Sequence, residues 1–149
     1  MAQFSKGFTL IELLIVIGIL VVLVAASLIA INPFRQFAQA NDANRQAGIT
    51  SLINAVYQNV IDNRGAFACA TAIPTVATVM GSATTSGQYN ICSCIVPNYM
   101  GALPFDPQTG SYTSCTTYNT AYTILRDATT GRITIAAPAA QLSTISITR

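Results

Sequence analysis

Lys6-Gly7-Phe8-Thr9-Leu10-Ile11-Glu12 runs directly into LLIVIGILVVLVAASLIAI, Leu13–Ile31, a stretch without a single charge. As a helix rising about 1.5 Å per residue, Leu13–Ile31 would reach roughly 28 Å, close to the ~30 Å hydrocarbon core of a bilayer. A helix on the surface of a soluble protein needs a polar face, and this stretch has none. Burial inside the rest of the chain is the competing arrangement, but the remainder is too small to surround it. The N-terminal segment therefore enters a membrane, at least transiently.

The rest of the composition narrows the function classes. The chain has 149 residues, 52% hydrophobic and only 8% charged, with no His and no Trp, against roughly a quarter charged in an average globular domain. Its length suits one domain. Lys and Arg exceed Asp and Glu by only 7 to 5, without the basic excess of a nucleic-acid protein. Missing histidine removes the commonest general base and the commonest nitrogen ligand of zinc. There is no serine or cysteine triad, no phosphate-binding G-x-x-x-x-G-K-[ST] loop and no carboxylate cluster. Glu12, Asp42, Asp62, Asp106 and Asp127 are single and scattered, and the last four read as solvated surface groups. An enzyme is not expected, and no cofactor is implied.

Three kinds of segment fit the apolar N-terminus: a cleaved secretory signal, a simple membrane anchor, or a more specialised signal. Ala25 with Ser27, or Leu28 with Ala30, loosely approach a small-residue cleavage site. Glu12 stands against the secretory signal, because a carboxylate in the apolar region of such a signal is unfavourable and unnecessary. An ionisable residue at such a place points to function. A position at the lipid interface, where the dipole of a helix N-terminus favours an anion, is compatible with that.

Lys6–Glu12 followed by Leu13-Leu14-Ile15-Val16-Ile17 resembles the type III signal of type IV pilins and pseudopilins, nearly residue for residue. The resemblance implies a leader, Met1–Gly7, on the cytoplasmic side, removed after Gly7 by a membrane aspartic prepilin peptidase. Phe8 would become the new N-terminus and be N-methylated by the same enzyme, and Glu12 would be the position used in subunit assembly. It further implies storage in membrane lipid, an inner-membrane assembly platform, and identical subunits in an extracellular helical filament. Adhesion, twitching motility, DNA uptake and secretion are the uses of such filaments. A pseudopilin of a type II-like secretion system shares the same signal and helix. An exported or membrane-anchored binding module is the alternative of another class. Processing would leave six Arg against five acidic residues, so no basic stripe for nucleic acid is visible. The lone Lys6 before the span, with Arg35 and Arg45 after it, does not orient the helix by positive-inside counting; the orientation rests on the resemblance.

The chemistry at Phe8 and Glu12 follows from electrostatics alone. Cleavage after Gly7, where a residue without Cβ lets a protease approach the backbone closely, creates an ammonium at Phe8. An ammonium and a carboxylate attract far more strongly in a low-dielectric bundle than in water, while either alone is costly to bury. Glu12 of one subunit can meet the Phe8 amine of its neighbour, or the pair can form within one chain, a helical turn apart.

Beyond the span, Pro33 removes a helical hydrogen bond, so a bend is expected at Asn32-Pro33-Phe34. Ile49, Leu52, Ile53, Val56, Val60 and Ile61 then recur at helical spacing, with Asn54, Gln58, Asn59 and Asp62 on other faces. Gly65 in Asn63-Arg64-Gly65 can take the left-handed cap. The expected element is one helix of roughly 55 residues, far longer than the ~11–12 of a mean helix and matching the long N-terminal helix of pilins. Residues 66–101 read as loop, with Gly81–Gly87 a surface segment of small residues. Tyr122–Leu125 and Arg132–Ala136 read as strands joined by the hairpin Asp127–Gly131, and Ile145–Thr148 as an edge strand or loose tail. The fold class is α+β, the type IV pilin arrangement of a long helix packed on a small antiparallel sheet. Its segments are leader 1–7, membrane and filament-core helix 8–31, amphipathic continuation 32–65 and loop-rich head 66–149.

Leu103–Tyr112 contains Asp106-Pro107 and Gly110, the chemistry of a turn, and resembles a segment before the sheet of many bacterial pilins and major pseudopilins, some of which bind calcium nearby. Calcium takes six or more oxygens, and only Asp106 and Asp127 are at hand, so a structural turn is favoured over a metal site. Cys69, Cys92, Cys94 and Cys115 all lie beyond the span. In an exported domain they read as disulfides, because zinc lacks a C-x-x-C and histidine here. A bond between Cys92 and Cys94 would strain an extended segment. Each is therefore expected to reach Cys69 or Cys115 in one of two ways, unless a tight loop at Ser93 permits the third pairing.

Processing is directly measurable. Mass spectrometry of the native subunit should show a chain from Phe8 to Arg149 carrying one extra methyl. A bulky residue at Gly7 should leave full-length protein in the membrane. A mature chain beginning near Leu28 or Ile31 would identify an ordinary secretory signal instead.

Overall fold

The computed structural model describes residues 7–83 and 86–149. The expected leader falls outside these except for Gly7, as do Thr84 and Thr85 of the small-residue loop. The chain divides into an N-terminal unit ending at Phe37 and a second unit, Ala38–Arg149.

The first unit is dominated by α1, Leu10–Ile31, in which no residue is buried. It is long and apolar enough to cross a membrane. Its one internal hydroxyl is satisfied within the helix: Ser27 Oγ donates to the Leu23 carbonyl at 2.8 Å, as lipid or a dry protein core would require.

The single bent helix expected from the sequence is instead two. Asn32 takes the left-handed conformation, φ 45° and ψ 76°, and α2, Pro33–Asp62, begins on the proline. Proline at the first helical position forfeits no bond that the helix would otherwise make. Asn32 caps the new start, its carbonyl and Oδ1 accepting from the Arg35 amide at 3.1 and 3.4 Å. The bend is thus a break, made possible by asparagine's tolerance of positive φ.

Within the second unit, α2 buries Ile49, Leu52, Ile53 and Val56. Ile61, expected on the same face, is exposed, and Val60 is half-buried. The helix ends where Arg64 and Gly65 take positive φ and the Gly65 amide donates to the Val60 carbonyl at 2.8 Å. The sheet is antiparallel and comprises β1, Thr78–Gly81; β2, Ser111–Ser114; β3, Thr117–Arg126; β4, Ile133–Ala137; and β5, Ile145–Thr148. Its order is β1-β3-β4-β5, with β2 also paired to β3. Tyr118, Thr120, Tyr122 and Ile124 alternate inward along β3, with Ile135, Ala137 and Ile145 from its neighbours, and form one core with α2. Gly48 brings Tyr122 against the helix: a Cβ there would stand 3.1 Å from the tyrosine hydroxyl.

Three strands fall close to where the β-forming runs put them, and two do not. β1 lies inside the segment read as loop, and β2 follows directly on the Asp106 turn. Both are four residues long, too short to show an alternation. A one-turn helix, α3, Cys92–Ile95, stands where an extended segment was assumed.

The disulfides are Cys69–Cys94 and Cys92–Cys115, with Cα atoms 5.2 Å apart in each. They fasten α3 to the loop after α2 on one side and to the β2–β3 turn on the other. Closing loops of 25 and 23 residues, each contributes about 3.5 kcal/mol in the chain-entropy model. Non-reducing peptide mapping should recover Cys69 with Cys94 and Cys92 with Cys115. Recovery of Cys69 with Cys92, or of four alkylatable thiols in folded protein, would contradict this fold.

Candidate functional site

Two polar constellations stand out, one at the start of α1 and one inside the second unit. Gly7 and Phe8 precede α1 in an exposed, non-helical segment, with Phe8 84% exposed, so the bond between them lies open. Thr9 is the N-cap of α1, and Glu12 closes a capping box with it. The Thr9 amide and hydroxyl both donate to Glu12 Oε2, at 2.9 and 2.8 Å, and the Glu12 amide donates to Thr9 Oγ1 at 3.3 Å. This reciprocal arrangement satisfies orphan donors of a helix start and fixes the carboxylate one turn from Phe8. Among the described residues Oε1 accepts nothing and remains open.

The second constellation overturns an expectation. Asp42 and Asp106, read from the sequence as solvated, are buried together with Arg45, which is fully inaccessible. Arg45 donates from Nε to Asp106 Oδ2 at 2.6 Å and from Nη2 to Asp106 Oδ1 at 3.2 Å, a bidentate pair. Its Nη1 reaches Asp42 Oδ1 at 2.9 Å and its Nη2 the Gln108 side chain at 2.8 Å. Asp42 also accepts from the amides of Gln141 and Leu142 at 2.9 and 2.8 Å, and Asp106 from those of Gln108 and Thr109 at 2.9 and 3.0 Å. Arg45 thus clips α2 to the Asp106 turn, and Asp42, which Arg45 pairs, clips it to the chain after β4. Gly110 completes that turn, since a Cβ there would lie 2.6 Å from the Asp106 nitrogen. Both Asp106 oxygens are already engaged, which suits a structural turn rather than a cation site. Asp62 and Asp127 are exposed as expected.

Burial pushes the Asp106 carboxyl up, but the Arg45 bonds and the amides of Gln108 and Thr109 outweigh it and hold it at about 2. Asp42 is lowered in the same way: burial opposes, and the Gln141 and Leu142 amides and Arg45 prevail. Arg45 is raised, chiefly by Asp106.

Asn59, also assigned to an outer face, is buried. It donates to the carbonyls of Cys94 and Ala68 at 2.9 and 3.2 Å and accepts from the Ala68 amide at 2.8 Å. The sequence carries a signal for the helical part of this interior: Arg45 and Asn59 continue the stripe of Ile49, Leu52 and Val56 at steps of three and four, whereas nothing in the turn sequence marks Asp106 as buried. Reading polar residues as automatically outward-facing hides it.

Compared with known proteins, residues 3–28 match the family model of the prokaryotic N-terminal methylation motif, the signal of type IV prepilins. That motif implies a membrane-anchored precursor processed by prepilin peptidase. No curated protein and no solved structure matches the chain.

Because both aspartates have depressed folded-state values, their ionised forms stabilise the fold above the ordinary carboxylate range. That stability is lost as pH falls from 3.8 toward about 2. Arg45→Met, which strands two buried carboxylates, should cost about 3–5 kcal/mol. Urea unfolding of the full chain in detergent measures both effects. An unchanged midpoint in the variant, or stability flat down to the most acidic point, would contradict the clip.

Proposed function

We propose that this chain, whose residues 3–28 are a type IV prepilin signal, is the structural subunit of an extracellular type IV pilus-like filament. The carrying observation is α1, a helix whose one charged residue is Glu12, with no residue buried and with the processing motif at its head. Lipid covers such a helix in the precursor. After cleavage between Gly7 and Phe8 and methylation of the Phe8 amine, the α1 helices of identical subunits cover one another. The inner-membrane platform carries out the transfer. The protein needs no catalytic residues or cofactor of its own.

Glu12 gives this transfer its register. In the single chain Oε2 is held by Thr9, and Oε1 is left for the ammonium that cleavage creates on a neighbour's Phe8. Before cleavage no such amine exists, so processing switches assembly on. The Pro33 break and the disulfides Cys69–Cys94 and Cys92–Cys115 belong to the scaffold that presents the head.

Glu12→Gln tests the role. Removing one partner of a buried pair costs about 3–5 kcal/mol, and the cost recurs at each added subunit. Export and cleavage after Gly7 should proceed while filaments largely disappear. Coexpression with the unaltered chain should poison growth if the contact is between subunits. Normal filament number and length would leave Glu12 an interfacial cap and nothing more.

A further inference from the structure

Cys92 and Cys94 are separated only by Ser93, yet each bonds a different partner. Chain entropy does not sort them. The bridges close loops of 25 and 23 residues, and the exchanged pairing, Cys69 with Cys92 and Cys94 with Cys115, would shorten each loop by only two. Loop-closure entropy grows slowly with length, so an unfolded chain forms either pairing at almost the same cost. The choice must come from the fold.

Helix geometry makes the first part of it. Two residues along α3 turn through about 200° at 3.6 residues per turn, so Cys92 and Cys94 leave the helix on opposite sides. Which thiol faces which partner then depends on how α3 is turned, and two buried polar side chains grip it. Tyr118, on β3 three residues beyond Cys115, accepts from the amides of Ile91 and Cys92 at 3.0 and 3.3 Å and donates to Asn90 Oδ1 at 2.8 Å. Asn59 of α2 grips the other end. Its Nδ2 donates to the Cys94 carbonyl at 2.9 Å and to the Ala68 carbonyl at 3.2 Å, and its Oδ1 accepts from the Ala68 amide at 2.8 Å. One side-chain amide thus holds Cys94 and the residue preceding Cys69 together. A leucine of similar shape would bind none of these three backbone groups.

We propose that Asn59 is the positioning residue that assigns Cys94, rather than Cys92, to Cys69, by docking the Ala68 and Cys94 backbones side by side before either thiol is oxidised. Its three hydrogen bonds involve only its own amide and the backbone, so none of them needs a bridge already in place. Oxidation then follows by exchange. One thiolate displaces half of a disulfide oxidant, and its partner thiolate attacks the mixed disulfide. The protein loses two electrons and two protons, and the oxidant leaves as two thiols. This sorting is independent of filament assembly.

The experiment gives one cysteine a choice inside the full chain, kept in detergent and equilibrated with reduced and oxidised glutathione. In Cys115→Ser, Cys69 can join Cys94 or Cys92; in Cys69→Ser, Cys115 can join Cys92 or Cys94. Alkylation followed by fragmentation mass spectrometry tells the Cys92 bridge from the Cys94 bridge. Cys69 should take Cys94 over Cys92 by roughly tenfold or more, about what one net hydrogen bond supports. In urea the two bridges should approach parity. Adding Asn59→Leu to Cys115→Ser should bring them near parity without urea, while the same change in Cys69→Ser should leave the preference of Cys115 for Cys92 in place. Parity with Asn59 present, or an undiminished preference of Cys69 in Asn59→Leu, would overturn the assignment. Equal loss of both preferences would overturn it too, because Asn59 would then act only through the stability of the whole head.

Discussion

Beyond Glu12, α1 is apolar on every face, and such a helix must be covered by something other than water. From Leu10 to Ile31 no residue is buried. Water cannot remain its neighbour, so lipid or other copies of the same helix must be. Everything else in the chain is consistent with a subunit that exchanges one cover for the other. Thr9 and Glu12 organise the start of the helix, next to the exposed Gly7–Phe8 bond. Asn32 ends it in the left-handed conformation, and α2 starts anew on Pro33 with Asn32 as its cap.

The second unit, Ala38–Arg149, has its own hydrophobic core. Its layer of α2 on a small sheet is thin, and two devices supplement the hydrophobic core. The disulfides fasten α3 to the chain on either side of it. Arg45 and Asp42 together join three segments distant in sequence through bonds that leave neither buried charge unpaired. Removing either partner of such a network is far more damaging than its net worth suggests, because the survivors are left desolvated.

The helices were legible in the sequence because their signals are long. Leu13–Ile31 has no charge at all, and Ile49, Leu52, Ile53 and Val56 repeat with helical spacing. The hairpin around Asp127–Gly131 was legible because turn chemistry sits between two β-forming runs. Thr78–Gly81 and Ser111–Ser114 were not, since four residues hold too few alternations and each strand exists only by pairing with β3. The polar interior escaped for a different reason. Arg45, Asp42 and Asn59 lie on or beside the core stripe, yet their types suggest solvent, and only the partners Asp106, Leu142 and Cys94, distant in sequence, make burial tolerable. At the N-terminus the reverse held, because a processing signal is recognised locally and needs no tertiary partner.

The central claim is that α1 changes its cover from lipid to protein. Shearing intact cells and sedimenting the released material, with phospholipid assayed in the same fraction, tests it most directly. The account predicts methylated chains beginning at Phe8 in a sedimenting, lipid-free fraction. Processed chain that stays wholly with the membranes, or is released only together with phospholipid, would contradict it.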